Sequence, residues 1–117
     1  LLKGETPNVQ TPSNANDFVY VDDVADAMIH LVYREVPTGI YNLGTGRSVP
    51  VWEVCEILER SLGYAPSCAA QMRKIHNPAT ADFWAETTKI ESVLDWHART
   101  SLEKGIEQYL IPLKVKK

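Results

Sequence analysis

The sequence predicts an α/β fold of short strands and about four helices. Three observations carry this. Phe18-Val19-Tyr20-Val21 is a β-branched and aromatic run, too brief for a helix and suited to a pleated, buried surface. It leads directly into an acid-led stretch where Val24, Ala27, Met28, Leu31 and Val32 recur at helical spacing, one apolar face of an amphipathic helix. Further along, Ile40-Tyr41-Asn42-Leu43 repeats the strand signal, and three more periodic stretches repeat the helical one.

Taken in order, Leu1-Leu2-Lys3-Gly4 reads as a last helical turn with its glycine stop. An opening of that kind is expected of a piece of a longer enzyme. Pro7 to Asn16 is rich in Pro, Ser, Thr and Asn, which predicts loop with an extended piece around Val9. After the strand at 18–21, Asp22 and Asp23 stand where a helix must begin, and are expected to cap it and to complement its dipole. That helix should end near Arg34. Pro37-Thr38-Gly39 turns the chain into the strand at 40–43, closed by Gly44-Thr45-Gly46.

Val51 to Leu62 predicts a helix with Pro50 in its first turn and Gly63 as its stop. Val51, Val54, Cys55, Leu58 and Leu62 form its apolar stripe, leaving Glu53, Glu56, Glu59 and Arg60 for solvent. A short strand is expected at Ser67–Ala70, then a loop around Asn77-Pro78. Thr88-x-x-Glu91 and Thr100-x-x-Glu103 are capping boxes. They open a short helix through Leu94 and a final helix whose Leu102, Ile106, Tyr109, Leu110 and Leu113 share a face.

A chain of 117 residues, 44% hydrophobic, is long enough for one modest core, so residues 1–117 are expected to form a single unit. Within it, 1–16 is a loop-rich start and 114–117 a solvated basic tail. The net charge of -3 excludes the clustered cations that nucleic-acid binding needs. No apolar run reaches membrane-spanning length, and with nothing resembling a signal peptide the expected location is the cytoplasm. Cys55 sits on an apolar stripe and reads as core. Neither it nor Cys68 has a histidine at ligand spacing, so no metal site is expected.

Four ordered blocks carry a family resemblance. They are Asp17-Phe18-Val19-Tyr20-Val21-Asp22-Asp23-Val24-Ala25-Asp26-Ala27, then Gly39-Ile40-Tyr41-Asn42-Leu43-Gly44-Thr45-Gly46, then Trp84-Ala85-Glu86-Thr87-Thr88-Lys89-Ile90 with Leu94-Asp95-Trp96, and finally Arg99-Thr100-Ser101-Leu102-Glu103-Lys104-Gly105-Ile106. Across roughly residues 14–110 the chain resembles the C-terminal portion of the extended short-chain dehydrogenase/reductase group, the NAD-dependent epimerases and dehydratases acting on nucleotide sugars. The resemblance implies a small C-terminal substrate-binding α/β domain over residues 17–113 that lacks the Rossmann domain, with NAD(P) held by that missing N-terminal partner and no cofactor on this chain.

Neither half of the family's cofactor chemistry is found here. Gly44-Thr45-Gly46 has no third glycine at the fingerprint position, and a tight turn is the expected role for it. No tyrosine has a lysine four residues on, so no catalytic residue is assigned and the chain is expected to be inactive alone.

On the substrate side, the family's phosphate-holding arginine before the Asp-Phe pair is replaced by Asn16, and its second clamp, Arg-x-x-Asp, falls on His76 and Ala79. Arg47 and Arg73 are the expected substitutes, since a guanidinium makes paired charge-assisted bonds to phosphate. Phe18 is either a core residue or packs beside the nucleotide. Trp84 and Trp96 should staple the short helix they flank, and Asn42, an amide in an apolar strand, should need a partner.

Two other functions stay open: a stand-alone binding or regulatory module, and part of a related reductase with a non-sugar substrate. A homodimer is a further possibility, through apolar faces that a missing domain would leave bare.

Overall fold

The computed structural model describes residues 1–75 and 81–115. It contains, among these, β1 (Ala15–Asn16), α1 (Val21–Tyr33), β2 (Val49–Pro50), α2 (Val51–Ser61), α3 (Ser67–Arg73), α4 (Thr88–Leu94) and α5 (Leu102–Val115). The strands pair antiparallel, Ala15 opposite Pro50 and Asn16 opposite Val49. On the other side of β1 runs the 81–83 segment, where Ala15 N–H donates to the Ala81 carbonyl at 2.8 Å and the Ala15 carbonyl accepts from Phe83 N–H at 3.3 Å.

The first strand thus lies just before the expected one. Among the described residues Phe18 to Tyr20 have no ladder partner, because the pairing is spent at Ala15 and Asn16. Val21 already belongs to α1, whose first bonds run from Asp23 and Val24 N–H to the Tyr20 carbonyl. Neither aspartate caps this helix. Asp23 instead accepts from Arg99 and Thr100 N–H at 3.2 and 2.9 Å, tying α1 to the approach to α5. Ile40–Leu43 also forms no strand, since no second strand lies beside it among the described residues.

Two cores form. In one, Ala27 and Leu31 of α1, Ile90 and Leu94 of α4, and Trp96 pack with Tyr41 and Leu43. Only half of the expected α1 face turns inward, because Met28 and Val32 remain exposed. Asp95 takes a left-handed conformation at φ 52° that ends α4 and turns Trp96 into this core. Arg34 Nη1 donates to the Leu94 carbonyl at 3.0 Å, one of the orphan acceptors at that helix end.

In the second core, Cys55 of α2 meets Ala69 and Met72 of α3. Two expectations are corrected here. Residues 67–70 are helix rather than strand, and Glu59 is buried at 1% exposure rather than solvated. The two facts share a cause. The Glu59 carboxylate accepts from Cys68 and Ala69 N–H at 3.1 and 2.8 Å, meeting the unpaired donors of the first turn of α3, and the Cys55 thiol lies 3.6 Å from it. Burial by itself would raise this carboxyl, but those donors outweigh it and hold the pKa below the ordinary 4.5. Burial and the Glu59 charge together push the Cys55 thiol up to about 11.

The helix ends differ in detail from the capping boxes. Pro50 stands one position before α2, and Thr87 before α4, where its hydroxyl bonds Glu91 at 2.9 Å while the Thr88 hydroxyl and N–H go to Glu86. At α5 the cap is Ser101, accepting from Lys104 N–H at 3.2 Å. Gly105 lets α5 approach Tyr20 closely, since a Cβ there would sit 3.1 Å from the ring. Lys114 is helical and reaches the Ser61 carbonyl. No described helix is long and apolar enough to cross a membrane.

Candidate functional site

Asp17 is the residue around which the loops are arranged. Its carboxylate accepts from Thr45 N–H at 2.9 and 3.0 Å, Gly46 N–H at 2.9 Å, Ala85 N–H at 3.1 Å and the Thr45 hydroxyl at 2.5 Å. Burial acts to raise its pKa, yet the hydroxyl and the three N–H donors prevail and keep it below the usual value. Gly44 is required there, because a Cβ would fall 2.6 Å from Asp17 Oδ2 and 2.7 Å from Ala85 Cβ. In Gly44-Thr45-Gly46, therefore, the Thr45 and Gly46 N–H groups point at Asp17 and are not free to cradle a phosphate. Sequence reasoning missed this hub. The available signal was an acid two residues after Ala15, ahead of a glycine turn that has no other anion to hold.

The other candidates surround the first turn of α2. Asn16 pairs with Val49, two residues after Arg47. Arg47, with 72% of its side chain exposed, lies 3.5 Å from Glu53. Arg73, at the end of α3, stacks over Trp52 with its guanidinium 4.5 Å from the ring centre. Phe18 edges an apolar cleft of about 220 Å³ with Val19, Tyr20, Val54, Leu102 and Ile106. His76 lies outside the described residues.

Successive residues of an α-helix point about 100° apart. Trp52, Glu53 and Val54 therefore direct Arg73, Arg47 and Phe18 around the helix instead of into one pocket. At the helix end, Val51 and Trp52 N–H are taken, donating to the Asn14 and Pro12 carbonyls at 3.0 Å.

A second cleft of about 420 Å³ is lined by Asp17, Asn42, Leu43, Phe83, Trp84 and Glu86. Its two carboxylates oppose an anionic ligand, with Glu86 held ionised below its ordinary pKa by the Thr88 hydroxyl and N–H. Trp84 is exposed here, not stapled to α4, and Asn42 faces solvent and needs no protein partner. Among the described residues no group of His, Cys, Asp and Glu could hold a metal ion.

No family model matches the chain. It is 29% identical over 97 residues to the UDP-glucuronate 4-epimerase of Thermodesulfobacterium geofontis, a match covering 82% of this chain and 29% of that protein. The UDP-glucose 4-epimerase of Bifidobacterium longum, solved with NAD+ and UDP, superposes with a TM-score of 0.65 at 24% identity over 88% of this chain and 33% of that one. RMD of Pseudomonas aeruginosa, solved with NADPH, gives 0.68 at 14% identity, covering 92% and 35%. The chain thus spans about a third of the length of the proteins it matches.

Proposed function

We propose, on the premise that this chain belongs to the extended short-chain dehydrogenase/reductase family of NAD-dependent epimerases and dehydratases and corresponds to its C-terminal part, that it holds the sugar-nucleotide substrate while chemistry proceeds elsewhere. The observation carrying this reading is the exposed Arg47 guanidinium at the first turn of α2, two residues before the Val49 that pairs with Asn16. Its partner Glu53 is 3.5 Å away and holds it loosely, so a diphosphate could displace that contact and gain shorter, charge-assisted bonds. Asn16 offers one neutral hydrogen bond for orientation. Phe18 presents an apolar wall on the neighbouring face, and Arg73 and His76 are further candidate partners for the anion.

The NAD(P) implied by the relatives supplies hydride chemistry when bound; this chain's own residues bind and orient. The Asp17 hub keeps the glycine turn and the 85 segment in place and takes the Thr45 and Gly46 N–H groups that a dinucleotide phosphate would need. The cytoplasmic location and the dinucleotide-binding partner domain belong to the same reading.

The test has two arms. Reading the gene upstream of Leu1 should reveal about 200 further codons, enough for a dinucleotide-binding domain, with a glycine-rich turn and a Tyr-x-x-x-Lys pair. A gene without them favours the stand-alone module. In the polypeptide so defined, titration of UDP-glucose and UDP-glucuronate by calorimetry should show binding weakened by about 1.5–3 kcal/mol in Arg47→Ala or Arg73→Ala, the worth of one charged hydrogen bond. If both variants bind like the parent, the site assignment is wrong. NAD titrated into the 117-residue chain should give no heat.

A further inference from the structure

Arg47 is held at its root and loose at its tip. Its side chain is 72% exposed and meets Glu53 at 3.5 Å, a surface pair in which water screens most of the attraction. The backbone beneath it is fixed by a relay. Arg47 N–H donates to the Thr45 hydroxyl oxygen at 3.2 Å, and that hydroxyl donates to Asp17 Oδ1 at 2.5 Å. A hydroxyl has one proton to give and lone pairs with which to accept, so the Thr45 oxygen can serve both bonds at once. The Arg47 carbonyl, 3.3 Å from the same oxygen, competes poorly for the proton, because the bond to the carboxylate is shorter and charge-assisted.

The carboxylate at the end of this relay is itself fastened. Thr45, Gly46 and Ala85 N–H converge on it from two other segments. It also stands between Asn16, paired with Val49, and Phe18, at the edge of the apolar cleft. The Thr45 hydroxyl is the dispensable part of that cluster as far as folding goes. Thr45 is exposed, and without its hydroxyl Asp17 keeps three N–H donors. What the hydroxyl adds is the link from Asp17 to Arg47 N–H.

We infer that Thr45 and Asp17 are positioning residues for Arg47: the Thr45 hydroxyl, oriented by Asp17, sets the backbone from which the guanidinium reaches a substrate phosphate. The inference rests on the proposed function and deepens it, giving the glycine turn a part in binding without any contact with the substrate. Fixing the root of a long side chain reduces the freedom lost when its tip is ordered on a ligand, so affinity rises with no added contact.

A double-mutant cycle in the longest polypeptide the gene encodes tests this, with UDP-glucose titrated by calorimetry. Thr45→Val removes the hydroxyl at nearly constant volume and should weaken binding about 10-fold, and Thr45→Ser, which keeps the hydroxyl, should bind nearly as the parent does. In an Arg47→Ala background Thr45→Val should cost less than about 2-fold, because no guanidinium is left to position. Where the valine variant fails to fold, Thr45→Ala runs the same cycle. Equal losses from the Thr45 substitution with and without Arg47 overturn the inference, since a general loosening of the turn acts whether or not the arginine is present. Unchanged binding in Thr45→Val beside weakened binding in Arg47→Ala overturns it too and leaves the functional reading standing. If Arg47→Ala binds as the parent does, the inference falls, and the site assignment falls with it only when Arg73→Ala is also without effect.

Discussion

Glu59→Gln separates a buried charge from a buried polar group of the same shape. The carboxylate accepts from Ala69 and Cys68 N–H at 2.8 and 3.1 Å, and hydrogen bonds to a charged group contribute about 1.5–3 kcal/mol each. Glutamine keeps one acceptor and turns an NH2 toward the other donor, so one of these bonds is lost and two donors face each other. The expected cost at pH 7 is about 2–4 kcal/mol, a large share of the 5–15 kcal/mol that typically holds a domain folded. The pH dependence distinguishes this cause from a packing defect. Because the folded-state pKa of Glu59 lies below the ordinary 4.5, the charged form's stabilisation is fully present above pH 4.5 and is lost as pH falls through the folded value. Urea unfolding followed by circular dichroism should therefore show a wide gap between the protein and its variant at pH 7 that narrows on acidification below pH 4.5. A gap under about 0.5 kcal/mol at pH 7, or one constant with pH, refutes the assignment of Glu59 as the anionic cap of α3.

Gly44→Ala drives a Cβ to within 2.6 Å of Asp17 Oδ2, and should destabilise the fold by about 1–3 kcal/mol, read as a lowered thermal midpoint; an unchanged midpoint would show that the hub yields freely. Cys55, with its thiol pushed up to about 11 from 9.0, should alkylate at pH 8 about 100-fold more slowly than an ordinary thiol. Mass spectrometry should find the half-buried Cys68 modified first, and early labelling of Cys55 would contradict its placement. In the longer polypeptide, Asn16→Arg should tighten UDP-sugar binding by about 1.5–3 kcal/mol if Arg47 marks the diphosphate side; no change in a calorimetric titration would favour a non-sugar substrate.

The helices α1, α2 and α5 were legible because each repeats apolar residues at its own period, a property of the local chain. Strands were less so. Ile40–Leu43 has every local mark of one and no strand partner among the described residues, while Ala15–Asn16, directly after Ser13-Asn14, is a strand because Val49–Pro50 and the 81–83 segment lie on either side of it. Pairing is a long-range property and leaves little trace in a dipeptide. The candidate arginines were found by charge chemistry, but their spread around α2 follows from which neighbours, Trp52 and Glu53, they meet.

By itself the sequence determined the α/β class, the order of blocks that marks the family, and the lack of both a dinucleotide fingerprint and a Tyr-x-x-x-Lys pair, because each is written in local composition and spacing. Only the tertiary structure decided that Glu59 is buried, that Asp17 takes the Thr45 and Gly46 N–H groups of the glycine turn, and that Met28, Ile29 and Val32 of α1 are left exposed. Those depend on which distant groups meet, and a carboxylate is solvated or buried according to whether folding brings donors to it.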